Sequence, residues 1–584
     1  MRISVQTDRR KAIDAAMGRI PCDVAVTNAK LVNVVTGEIY PADVYVSGDL
    51  ICAVSTKDAP LACTAATTYD AHGAYLVPGF IDTHIHVEST MMTPDWFASA
   101  VLVWGTTTII SDPHEIANVM GKEGVLAMVR KARRMPLRHF LLAPSCVPSN
   151  PPLEKGGAVL GLSDIESLLK EPEIIGLGEV MDYRGVVENN PRMAGELSLA
   201  LRKQAFIQGH APMLDGQRLD GYIASGVVND HECRTGEECI RKLRLGMHIN
   251  LKSSSLSNNL QKAIQAIKPV RWKDHVSFCT DDLYAETILE KGHLNKIFGE
   301  AVSYGLDPID GVRFASYNAS REYGLEDLGV IAPGFVADFQ ILPDLNGCRP
   351  TMVFVGGRLV ARDGRCLVTP QGKSHSFGEG TLQIPDLPPS FFTLKDTGKR
   401  VCTLDYKGRG GHFHSASYVA YPAKDGLVDF SSKPEVCLMA VINRYGKPCH
   451  AMALFAHTGL VRGAYATTVS HDCHNILVFS RNPDDAALAV AELKRIGGGF
   501  SAALQGKVLG SLPLPVGGLM VDKPVNEVGR AIKAFEQASS CLFDQPGNVL
   551  RYATSALPVL PGFVVTDEGI VDGVKQRFVP LYES

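Results

Sequence analysis

The 584-residue chain is 45% hydrophobic and 21% charged, a globular composition able to bury a large core spread over roughly two to four domains. Its 58 basic and 62 acidic residues nearly cancel, leaving a net charge of −4, so nucleic-acid binding, which needs a basic footprint, is not expected. No apolar run reaches the roughly 18 residues of a membrane span, Met1–Arg10 is polar where a signal peptide is apolar, and the 14 cysteines form no C-x-x-C pair; the expectation is a cytoplasmic protein with reduced thiols.

In chain order, short strand-like runs come first: Val24–Val26, Ala42–Val46 and Leu50–Val54, separated by turn pairs such as Thr36-Gly37 and Ser47-Gly48. The same style returns after residue 330 in PGFVADFQIL and TMVFVGGRLVARDG. Two such segments around one long middle predict a composite β-sandwich made from residues 1–75 plus 330–378. The middle, residues 76–329, alternates apolar runs with helical stretches such as Gly121–Ala132 and Ile165–Lys170, as βα units do. The fold class is therefore α/β: a (β/α)8 TIM-like barrel with the composite sandwich and an additional C-terminal α+β domain over 379–584. That last domain follows a Pro-rich stretch, IPDLPPSFF, which reads as a linker. Its helical piece Asp484–Arg495 precedes Gly497-Gly498-Gly499, which lacks the Lys-Ser/Thr of a phosphate loop and reads as a helix stop.

Eight apolar runs of the middle end in polar residues: LVPGFIDTHIH, TTTIISDPHE, HFLLAPSCVP, IIGLGEV, AFIQGHAP, GVVNDHE, GMHINL and HVSFCTDD. In a parallel barrel the C-terminal strand ends form the active-site face, so chemistry belongs at these ends. His84 and His86 are two residues apart on one strand; their side chains point the same way and suit one divalent ion. His210, His231, Asp281 and Glu179 each end a different run. Any one of these histidines reads as an ordinary buried residue and Glu179 as a loop acid, but six ligand-type residues at strand ends together predict a metal centre.

These residues, with PGFIDTHIH and PGFVADF, resemble the amidohydrolase superfamily. SDPHEIANV, GLGEVMDY, CTDD, SHDCHNI and LPLPVGGLM narrow the resemblance to bacterial adenine deaminases, and they extend through the C-terminal domain. The resemblance implies two divalent ions, manganese or iron with zinc also compatible, held by His84, His86 and Asp281 on one side and His210 and His231 on the other, bridged by Glu179. It implies hydrolytic deamination of adenine in purine salvage or catabolism, with Asp281 moving the water proton and His114 and Glu115 contacting the purine or joining the relay. Ser145, Asp182, His471, Asp472 and His474 are the candidate substrate contacts, and a homo-oligomer, as a dimer, is the expected assembly. Two departures stand out: INLKSSS at Ile249–Ser255 replaces the family's Arg-Glu-Gly-Ser, and Cys473 stands where Ser is common.

A cytidine-type zinc deaminase is excluded because the chain lacks H-x-E with P-C-x-x-C. A mononuclear adenosine-deaminase type needs a Glu soon after the fifth-strand His, and here APMLDGQ follows His210. An amidohydrolase acting on another purine or cyclic amide remains an alternative, as does a non-catalytic protein of the same fold. The free base is expected to be preferred over the nucleoside, with a pocket too tight for a ribose.

Overall fold

The computed structural model describes residues 1–4, 7–372, 376–406 and 414–583. The middle of the chain supplies eight parallel strands: β1 (Phe80–Ile85), β2 (Thr106–Ser111), β3 (Arg138–Ala143), β4 (Ile174–Val180) and β5 (Phe206–Gly209) in one sheet, β6 (Asn229–Asp230), β7 (His248–Lys252) and β8 (Val276–Cys279) in a second. Both seams between the sheets carry hydrogen bonds. Val228 N donates to Ile207 O at 3.1 Å, and Asp281 N donates to His84 O at 2.9 Å. The parallel sheet is therefore curled, with helices between its strands, and this mixed α/β content fits a TIM-like domain. Every residue of β1 and β2 is buried, as parallel strands covered on both faces must be.

The two flanking β segments join in one nine-stranded sheet. Tyr75–Pro78, immediately before β1, pairs antiparallel with Phe339–Leu342, in the register Leu76 opposite Ile341. The sheet surrounds a core that includes Val26, Leu31, Val44, Ile51, Phe339 and Phe354, drawn from both ends of the segment pair. The chain thus enters and leaves the parallel domain through neighbouring strands.

Beyond residue 380 a second nine-stranded sheet, eight strands from Arg400–Asp405 to Lys507–Pro513 plus Tyr582–Glu583 paired with Arg400–Asp405, packs with helices Pro483–Ile496 and Val525–Ser539. IPDLPPSFF differs from the expected linker: Ile384 and Phe392 are buried with Val478 and Leu493 in this domain's core, because the stretch carries enough apolar side chains to pack. A further buried cluster runs without a break from Phe80 and Ile109 to Leu477, Phe479 and Phe500, so the parallel domain and the C-terminal sheet share a core. Among the described residues no helix is long and apolar enough to cross a membrane.

Candidate active site

The curled sheet brings His84 and His86, at the end of β1, together with Glu179 on β4, His210 after β5, His231 after β6 and Asp281 after β8. His84 Nε2 and His86 Nε2 are 3.2 Å apart. Asp281 Oδ1 lies 3.5 Å from the first and 3.4 Å from the second. Glu179 divides its oxygens: Oε1 is 3.2 Å from His86 Nε2, while Oε2 is 2.6 Å from His210 Nδ1 and 3.3 Å from His231 Nε2. His231 stacks on His84 with ring centroids 4.0 Å apart.

The outer ring nitrogens fix the tautomers. Gln208 Nε2 donates to Thr83 O and to the Tyr323 hydroxyl, which turns its Oε1 toward His84 Nδ1 at 2.8 Å and places the proton there. His86 Nδ1 donates to Asp112 O at 3.0 Å. With both rings neutral, as a metal ligand requires, both Nε2 atoms then face each other as bare lone pairs, among two carboxylates, in a buried setting. That is repulsive in itself and matches the donor chemistry of a divalent cation, with the hydrogen-bonded outer shell that metal-ligating histidines have.

A second cluster adjoins the first. His114 and Glu115 open the short helix His114–Met120, whose first turn points at the centre. His114 Nδ1 is 3.5 Å from Glu179 Oε1, and its Nε2 is 3.8 Å from Asp472 Oδ1. Glu115 is paired with both His471 and His474. Burial alone pushes the Glu115 carboxyl up, but His471, His474 and His114 outweigh it and hold the acid well below its usual range. Burial lowers His471, yet Glu115 and Asp282 bring it up to about 9. Burial takes His474 down to about 4 despite Glu115, a neutral ring that accepts from Ser470 N through Nδ1 and donates to Glu115 through Nε2. Asp472 is raised by burial to about 6.

A cavity of about 400 Å³ lies over both clusters, and the C-terminal domain contributes His471, Asp472, Thr554, Leu557 and Leu560 to its wall. The cavity's total volume alone does not restrict it to a free base. His474 stands behind Glu115, off the cavity wall. Ser145 also lies off it, donating to Glu179 O at 2.8 Å and so bracing β4 from behind. Asp182 faces a different hollow; it caps the helix Tyr183–Val187 through Gly185 N and pairs with Arg192 at 3.2 Å.

Models of the amidohydrolase family and of the adenine deaminase C-terminal domain match residues 75–360 and 413–577. An adenine deaminase of Desulfatibacillum aliphaticivorans is 36% identical over 98% of this chain and 99% of its own length. An adenine deaminase 2 of Agrobacterium fabrum is 40% identical over 91% of this chain and 88% of its own. The chain belongs to the adenine deaminase family. A solved crystal structure of an adenine deaminase is 17% identical, covering 58% of this chain and 99% of that one with a TM-score of 0.45.

Metal dependence is general in the amidohydrolase family, and this adenine deaminase family member has its potential ligand groups assembled: His84, His86 and Glu179; Glu179, His210 and His231; and His84, His231 and Asp281. Among the cavity residues that the sequence reading did not name, Lys252 and Glu232 stand nearest the donor cluster's Asp281 and His231. Lys252, at the end of β7, donates to Asp281 Oδ2 at 2.8 Å and pairs with Glu232. Burial lowers the Lys252 ammonium, but Asp281 and Glu232 hold it well above its usual value. Lys252 sits in the INLKSSS segment that the sequence already singled out, which was the available signal; Glu232 is the neighbour of His231 and carried none of its own.

Proposed function

We propose that this chain hydrolyses adenine to hypoxanthine and ammonia at the cavity shared by the parallel domain and the C-terminal domain. The observation that carries this is identity of 36% and 40% to adenine deaminases over 98% and 91% of the chain. In this reading the parallel strands form a (β/α)8 barrel, the nine-stranded N-terminal sheet is the composite sandwich, and the boundaries fall near residues 76, 330 and 379.

Two divalent ions, manganese or iron, are assigned to His84, His86 and Asp281, and to His210 and His231, with Glu179 between them. Bound there, they supply Lewis acidity, bringing the pKa of water from 15.7 down to about 7. The chain's own residues do the rest. Glu179 offers one oxygen to each half of the donor set, which a single carboxylate does without modification. Asp281 has Oδ2 occupied by Lys252, so Oδ1 alone is turned inward to take a water proton and pass it to the leaving N6 amine. His114 lies between Glu179 and Asp472 on the cavity wall, where it reaches the purine ring nitrogen that gains a proton as C6 becomes tetrahedral. Glu115, clamped by His471 and His474, fixes the helix turn that presents His114. The test is product analysis on metal-replete protein: one ammonia and one hypoxanthine per adenine consumed are expected. Activity on a different purine or a cyclic amide, with adenine inert, would reject the reading.

A further inference from the structure

The steps above give no direct substrate contact to Glu232. It follows His231 at the end of β6 and lines the same cavity as the donor cluster. Its side chain is 15% exposed, and Lys252, its partner, is 8% exposed. Lys252 Nζ pairs with Glu232 Oε1 and donates to Asp281 Oδ2 at 2.8 Å. One ammonium thus stands between the two carboxylates, so Glu232 is held a fixed short step from the reacting side of the site. Among the described residues none donates to the other Glu232 oxygen, Oε2.

Volume does not explain selection of a free base here. The cavity of about 400 Å³ falls within the roughly 300–1,000 Å³ of sites for drug-sized ligands, and a bicyclic base fills only part of it. A polar group can therefore refuse a substituent on the imidazole ring where total volume would admit it. A free purine base carries one imidazole N–H, on N9 or N7. A nucleoside carries none: N9 bears carbon and N7 bears a lone pair. A carboxylate is acceptor-only, so it pairs with the base and is left unpaired, or faces a lone pair, with the nucleoside. Sites built to hydrogen-bond a substrate N–H reject analogues lacking it by roughly 10⁴–10⁵.

We propose that Glu232, held in place by Lys252, accepts the imidazole N–H of an unsubstituted purine and so selects free bases over N9-substituted ones. This rests on the reading that adenine is the substrate. The experiment compares metal-loaded full-length wild type, Glu232→Leu and Lys252→Met on adenine and 9-methyladenine. Calorimetric Kd values for hypoxanthine and 9-methylhypoxanthine, and bound metal, are measured alongside. The 9-methyl group is small enough for the cavity, so it reports the lost N–H rather than bulk. Wild type is expected to prefer the unsubstituted base by at least about 10³ in kcat/KM. Glu232→Leu should bring that preference below about tenfold, by losing on adenine rather than gaining on 9-methyladenine, with metal content unchanged. Lys252→Met should narrow it partially, since the acceptor remains but is no longer anchored. If Glu232→Leu fails to fold, Glu232→Gln keeps the shape and should lose at least about tenfold of the preference, because its amide is a weaker, two-faced partner. An undiminished preference in either Glu232 variant overturns the proposal. Should wild type leave adenine unchanged, the functional reading fails by itself; the Kd ratio of the two hypoxanthines still judges Glu232, supporting it if the ratio collapses in the variant and rejecting it if not.

Discussion

Gln208 makes no contact with any cavity ligand other than His84, yet it decides which His84 nitrogen is bare. Its amide is locked by Thr83 O and Tyr323, at 3.1 and 2.7 Å, and so cannot turn to accommodate the other tautomer. Replacing such an outer-shell partner costs roughly 10–100-fold in metal affinity. Gln208→Leu is expected to weaken metal binding within that range while far-ultraviolet circular dichroism stays that of wild type; unchanged affinity would show that the tautomer is set elsewhere. His139 gives a second prediction. It is buried, its Nε2 is 2.7 Å from Ser111 Oγ, and burial takes its pKa down to about 3. Because the folded value lies below the unfolded 6.5, the stability it contributes is present above pH 6.5 and is lost as pH falls toward 3, at up to about 1.36 kcal/mol per pH unit. His248 and His293, also brought to about 3 by burial, add to the same slope. The fall in Tm between pH 7 and pH 5 should therefore be smaller in His139→Gln than in wild type, and an equal fall would remove His139 from the account.

At the level of elements, the two-residue spacing of His84 and His86 and the polar ends of the apolar runs carried most of the donor set, because strand geometry alone dictates where such side chains point. What the sequence did not carry depends on contacts distant along the chain. Gln208 meets His84 from 124 positions away, and Lys252 meets Asp281 only once β7 and β8 pair. Asp182, named as a contact on a motif match, is placed by the fold at a different hollow, where it caps the helix it precedes. The Gly497-Gly498-Gly499 stop, by contrast, was legible from local chemistry. Gly497 caps Pro483–Ile496 in the left-handed conformation, with φ 78° and nothing nearer than 3.7 Å to a Cβ placed there. Gly497→Ala should cost about 1–2 kcal/mol, the strain of φ alone. At Gly499 a Cβ would meet Leu512 O at 2.0 Å, backbone of the paired strand. Gly499→Ala is thus expected to lower the urea midpoint well beyond Gly497→Ala, and the reverse order would contradict the strand pairing described here.

Across the whole molecule, the Glu115 clamp spans 359 residues between Glu115 and His474 and ties the parallel domain to the C-terminal one inside their shared core. His474 is off the cavity wall, so His474→Ala should leave bound metal unchanged and lower kcat on adenine, with KM moving little. Lost metal would place His474 in the donor set, and unchanged kinetics would reduce the clamp to packing. The clamp also bears on how such chains can recombine. A chimera joining residues up to about 380 of one relative to the remainder of another inherits Glu115 from one parent and His471 and His474 from the other. The three residues therefore behave as one heritable unit split across the gene, and a crossover between the halves yields a working site only when both parents already agree on all of it.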